Sequence, residues 1–114
     1  MNQVAQDDII LARMASAFAA LGSEQRLSVL RTLVRAGPGG LPIGELGARS
    51  GITGSTLTHH VRILAQAGLV TQTRQGRSVI CAAAAYPEMR ALSDFLLSEC
   101  CADAPCPHDE GHHG

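Results

Sequence analysis

The chain holds 114 residues with nine Arg, no Lys, ten acids and a formal net charge of −1, the size of one domain and too short for two cores. Hydrophobic residues reach 46% but aromatics only 3%, so Ala and Leu, both good helix formers, must build a thin core that a second copy is expected to complete. No run approaches the roughly 18 apolar residues of a membrane span, and the acidic start MNQVAQDDII lacks a signal peptide's positive charge, so a cytoplasmic protein is expected.

Around residues 5–21 apolar side chains recur at Ile10, Leu11, Met14, Ala17, Phe18 and Leu21, a helical stripe that Gly22 ends. Ser23 can cap a second helix, with Glu24 well placed in its first turn. There Leu27, Leu30, Leu33 and Val34 share one face, with Arg26, Arg31 and Arg35 mostly off it. GPGG (37–40) reads as a loop, and Pro42 as the first residue of a short helix that Gly51 closes. Thr53 can cap the next helix, which turns Leu57, Val61, Ile63 or Leu64, and Ala67 inward before Gly68 stops it. The stretch LVTQTRQGRSVICAAA then changes to a two-residue period, a hairpin with its turn near Gln75 and Gly76. Pro87 opens a last helix running to Cys101, with Met89, Leu92, Phe95 and Leu96 on its apolar side. The reading is one mainly helical domain over 1–101, about five helices with a two-stranded wing. A flexible tail over 102–114, rich in Pro and Gly, follows it.

The net charge hides a strong asymmetry. Residues 46–87 contain Arg49, Arg62, Arg74, Arg77, His59 and His60 but no Asp or Glu, whereas six acids face Arg90 alone from Glu88 onward. A long acid-free segment suits a surface that approaches phosphates. Within it, a short helix, a Gly-containing turn, a second helix and a hairpin make the order of a winged helix-turn-helix. The second helix must turn hydrogen-bonding side chains to the major groove while its apolar face grips the core. Ser55, Thr56, Thr58, His59 and Arg62 fall largely away from Leu57, Val61 and Leu64, as that task requires. Arg74 and Arg77 at the hairpin tip suit phosphates or a minor groove. His60 reads as a surface or half-buried structural histidine, and Ser55 and Thr56 double as helix-start residues.

The runs ALGSEQRLSVLRTL and IGELGARSGITGSTLTHHVRILAQAGLVTQTRQGRSVI resemble the ArsR/SmtB family of bacterial metal-sensing repressors. The resemblance covers roughly residues 15–97, its most specific part being STLTHHVRILAQAGLV followed directly by RQGR. It implies a homodimer joined through its first and last helices, an inverted-repeat operator near its own promoter, and release from DNA on inducer binding. It also places Ser55, Thr56, Thr58 and His59 among base- and phosphate-contacting positions.

The inducer site is read from the thiols. In a reducing cytoplasm Cys81, Cys100, Cys101 and Cys106 are ligands or redox groups rather than bridges. The segment before the reading helix, LPIGELGARSG, has no cysteine, and the last helix has Asp94 but no histidine, so two sites used in the family are missing. Cys100, Cys101 and Cys106 remain, and they resemble arsenic-sensing members with cysteines at the end of the last helix. Thiolates select soft ions; As(III) or Sb(III), or a methylated As(III) on the vicinal pair alone, is the leading inducer. Cd(II), Zn(II) or Hg(II), and thiol oxidation or persulfide, stay open as alternatives. Neighbours on a helix point about 100° apart, so Cys100 and Cys101 converge only if the helix ends there. Cys81 reads as a small buried hydrophobe, and His108, His112 and His113 as solvated. DNA binding itself calls for no cofactor. A rival from another class is a thiol-rich metal buffer that never meets DNA. No nucleophile–base–acid set, phosphate loop or carboxylate pair points to an enzyme.

Overall fold

The computed structural model describes residues 3–105. Helices α1 (Gln3–Ala20) and α2 (Glu24–Ala36) lead to strand β1 (Leu41–Pro42) and helices α3 (Ile43–Ser50) and α4 (Gly54–Gln66). Strands β2 (Val70–Gln75) and β3 (Ser78–Ala83) and helix α5 (Tyr86–Leu97) complete the described chain. This is the expected winged helix-turn-helix, with a third strand added.

The α1–α2 corner is set by local chemistry. The Ser23 hydroxyl accepts from the Arg26 backbone N–H at 3.2 Å and caps α2. Arg26 Nε in turn donates to the Ala20 carbonyl at 2.6 Å, satisfying an acceptor that the end of α1 leaves open. The inward face of α2 differs from expectation. Val29, Leu30 and Leu33 are buried, while Leu27 and Val34 are 43% and 52% exposed. Helices α3 and α4 and strand β3 all pack on α2, and together they select the arc centred on Val29 and Leu33.

Pro42 is not the first residue of α3. It lies in β1, in extended conformation, and serves as the N-cap position of α3. Leu41 pairs with Cys81 and Pro42 with Ile80, so the sheet order is β1-β3-β2. A proline is tolerated there because β1 is an edge strand and needs no donor on its outer side. In the hairpin Gln75 pairs with Ser78, so the two-residue turn is Gly76-Arg77, one position later than expected. Gly76 supplies the positive φ, +62°, that the first position of such a turn requires.

Val29, Leu33, Leu46, Val61, Leu64 and Cys81 are fully buried and form the centre of the core. Helix α5 starts at Tyr86-Pro87, where the Ala85 N–H donates to Glu88 Oε1 at 3.1 Å. Its Met89 and Leu92 pack against the core, but no residue of α5 is fully buried. The helix stops at Leu97 instead of running to Cys101. Ser98, Cys100, Ala102 and Ala104 each donate a backbone N–H three residues back, a string of tight turns. The Ser98 hydroxyl also bonds the Phe95 carbonyl at 2.9 Å, a local bond that competes with helix continuation. Position 101, where the sequence reading ends the domain, thus lies among turns, and most of residues 102–114 lie outside the described residues.

Candidate nucleic-acid interface and thiol site

Helix α4 has two chemically distinct faces. Leu57, Val61 and Leu64 are buried in the core, and Ser55, Thr56, Thr58, His59 and Arg62 are all exposed. The proposed reading residues therefore share the outer side of one helix. Thr53 occupies the N-cap position without a side-chain cap bond, so backbone N–H groups at the start of α4 retain donor capacity. Thr58 Oγ1 donates to the Gly54 carbonyl at 3.3 Å, which orients its hydroxyl along the helix. Arg74 on β2 and Arg77 in the wing turn are exposed. Arg49, in the acid-free segment, is held by Glu45 at 2.9 Å on the surface of α3 and is less available to phosphate. Helix and wing together offer groove-sized hydrogen-bonding groups flanked by cations, an arrangement suited to duplex DNA.

His60 differs from its neighbour. It is the buried polar residue of the core region, 8% exposed, with Nε2 2.8 Å from Gln25 Oε1 across a sequence gap of 35. Its Nδ1 is buried with no hydrogen-bond partner. Burial, the Arg26 guanidinium and His59 all push the His60 imidazole below its ordinary pKa. His60 was expected at the surface or half-buried, but it is buried, because Gln25 on α2 meets its Nε2 there; Gln25 as its partner had no signal in the sequence, because nothing local links the two.

The thiols divide by position. Cys81 is fully buried in β3 and desolvation pushes its thiol up, the properties of an inert core residue. Cys100 and Cys101 lie in the turns after α5, where Cys101 adopts a left-handed φ of +63°. That break in helical geometry brings their sulfurs to 3.4 Å, a convergence a continued helix would forbid. The separation exceeds the roughly 2.05 Å of an S–S bond. It lies well inside the maximum of about 4.6 Å for two thiolates sharing one soft ion at about 2.3 Å each. Against the expectation of ligands or redox groups rather than bridges, Cys101 is disulfide-bonded in this structure, so its sulfur becomes a thiolate ligand only after reduction, while Cys100 carries an exposed thiol. Cys106, His108, His112 and His113 lie outside the described residues. Among the described residues no three His, Cys, Asp or Glu side chains gather as a metal site. Two sulfurs of the expected three are therefore brought together here.

No helix among the described residues is long and apolar enough to cross a membrane. A family profile described as a helix-turn-helix domain matches residues 21–73. The HTH-type transcriptional regulator NmtR of Mycobacterium tuberculosis is 38% identical over 74 residues, 65% of this chain and 59% of that protein. The chain thus spans less than two thirds of that relative. The uncharacterized HTH-type transcriptional regulator YceK of Bacillus subtilis is 35% identical over 78 residues, 68% of this chain and 74% of that protein. Among solved structures, an ArsR-like transcriptional regulator from Rhodococcus matches with a TM-score of 0.65 at 26% identity, covering 78% of this chain and 80% of its own. A homodimeric winged helix-turn-helix DNA-binding domain from Mycobacterium bovis matches in fold, with a TM-score of 0.68 at 19% identity, over 100% of this chain and 96% of its own. These proteins are described as transcriptional regulators or DNA-binding domains, not as enzymes.

Proposed function

Because this chain belongs to the helix-turn-helix transcriptional regulators of the ArsR family, we propose that it is a homodimeric repressor released from its operator when As(III) or Sb(III) binds Cys100, Cys101 and Cys106. The observation that carries the inducer reading is the 3.4 Å approach of the Cys100 and Cys101 sulfurs just beyond α5. Thiolates favour thiophilic ions over hard ones, and Ala102 to Pro105 is a short linker that lets Cys106 return to the pair.

The dimer reading rests on uncovered apolar surface. Ile9, Ile10 and Leu11 on α1 are 57%, 44% and 58% exposed, and Leu96 and Leu97 at the end of α5 are 65% and 68% exposed. Two terminal helices with bare aliphatic faces supply the burial that an Ala/Leu core lacks. The proposed thiol site adjoins Leu96 and Leu97, so ligand capture acts where the protomers would meet. A two-half-site reader needs its recognition helices about 34 Å apart. Gathering three thiolates at the end of α5 changes that spacing, and a coupling of about 1–3 kcal/mol would lower operator affinity roughly 5- to 150-fold.

Operator-bound protein, fully reduced, is titrated with arsenite, methylarsenite, cadmium and zinc in a gel-shift assay, using the wild type and Cys100→Ser, Cys101→Ser and Cys106→Ser variants. Release of the wild type by arsenite, lost in the Cys100 and Cys101 variants, is the expected result. Release that persists in both variants overturns the thiol-site reading. A second reading, thiol redox sensing, is favoured by the disulfide at Cys101. It predicts release by a peroxide or polysulfide with no arsenite present, reversed by dithiothreitol.

A further inference from the structure

We infer that His60 and Gln25 are positioning residues for DNA reading: their buried hydrogen bond sets the orientation of α4, and only the neutral imidazole fits that seat. The inference rests on the reading of the chain as an operator-binding regulator.

The argument starts from what holds α4. Its inward residues Leu57, Val61 and Leu64 are aliphatic and buried. Such contacts fix depth well but direction poorly, because burial of aliphatic surface is not directional. Among the hydrogen bonds of the described residues, the side-chain bond that ties α4 to another element is His60 Nε2 to Gln25 Oε1, at 2.8 Å. It bridges α4 to the first turn of α2, next to Arg26, whose Nε bonds the last turn of α1. The angle of α4 about its axis, and so the aim of Thr56, His59 and Arg62, is registered on the α1–α2 corner through this bond.

The chemistry restricts the state of the ring. Gln25 Oε1 is an acceptor, so Nε2 carries the hydrogen and Nδ1 holds a lone pair, buried and without a partner. A second proton would place an N–H there with no acceptor and a full charge in the interior. The ionisable groups acting on the ring are Arg26 from α2 and His59 from its own helix, and both oppose a positive charge. The last part of α1, Met14 to Ala20, contains no ionisable residue, and the only one on β2 is Arg74. On α3, Glu45 and Arg49 pair with each other at the surface. The carboxylates on these elements are Glu24 of α2 and Glu45 of α3, and neither is among the groups acting on the ring. Proton uptake therefore requires the ring to leave its seat, which turns α4 away from its reading orientation.

The test uses the full reduced chain and a fluorescent duplex from the DNA upstream of its own coding sequence, with a scrambled duplex as reference. Affinity is measured by anisotropy from about pH 7.5 to about pH 5.5, and imidazole titrations are followed by NMR, in the wild type and in His60→Gln and Gln25→Glu. His60→Gln keeps a neutral amide near the seat. Gln25→Glu puts a carboxylate against Nε2. The wild type should lose about tenfold more affinity on acidification than His60→Gln, and Gln25→Glu should raise the His60 midpoint by about one pH unit, a tenfold change in proton affinity. Equal pH profiles for wild type and His60→Gln, or an unmoved His60 midpoint in Gln25→Glu, overturn the inference while leaving the operator reading intact. If the wild type does not prefer the upstream duplex at any pH, the operator reading fails and takes the inference with it.

Discussion

Replacing Gly40 with Ala tests the part of the fold that the sequence did not announce. Gly40 has φ +74°, and a Cβ there would collide with the Cys81 carbonyl and stand 3.0 Å from the Ala82 Cβ. The left-handed conformation costs an L-residue about 1–2 kcal/mol. The overlap lies against backbone of β3, which cannot swing aside, and forced contacts of this kind cost about 1–3 kcal/mol more. Lower entropy of the unfolded chain returns about 0.4–1 kcal/mol. The net loss is about 1–5 kcal/mol, which lowers the Tm by roughly 4 °C at the low end and by more than about 10 °C from the middle of that range upward. Gly39→Ala is the internal control. Nothing lies within 4 Å of a Cβ at Gly39 and its φ is not in the positive region, so it should be neutral or gain up to about 1 kcal/mol. Urea unfolding of both variants at one fixed protein concentration, which matters for the proposed dimer, gives the comparison. Equal midpoints for Gly40→Ala and Gly39→Ala would refute the reasoning, because they would mean that β1 does not cross Cys81.

Three further outcomes are expected. Arg77→Ala should weaken binding to all duplexes alike; if the dimer places two wings on DNA, the slope of log affinity against log salt falls by about 1.8, two phosphates at about 0.9 each. Leu97→Glu should give a folded monomer by sedimentation equilibrium, with unchanged far-ultraviolet circular dichroism, since Leu97 is 68% exposed in the protomer and contributes little to its core. Because the fold lowers the His60 pKa from 6.5, the unfolded chain binds a proton that the folded chain refuses. Stability is then complete above about pH 6.5 and declines as pH falls toward the depressed folded value; His60→Gln should flatten that decline in urea midpoints taken across the range.

Much of the DNA-reading half was legible because its signals are local. Ser23, Gly51 and Pro87 mark helix boundaries through bonds and backbone angles within a few residues. The alternation of Leu57, Val61 and Leu64 with Ser55, Thr58 and His59 follows from helical period alone. The acid-free segment needed only a count of charges. The site at the end of α5 was half legible: adjacent cysteines are visible in any reading of the chain, but their convergence depends on where the helix stops. Ser98 and the tight turns after Leu97 decided that.

What the sequence by itself determined is the five helices, the hairpin and the outer face of α4, all consequences of neighbours in the chain. Only the tertiary structure decided the rest. Leu41 becomes a strand because it meets Cys81, α2 turns Val29 inward and leaves Val34 out because α3, α4 and β3 converge on one arc, and His60 is fixed by Gln25 across 35 residues. Each of these is a pairing between distant segments, and no local propensity encodes which distant segment will arrive.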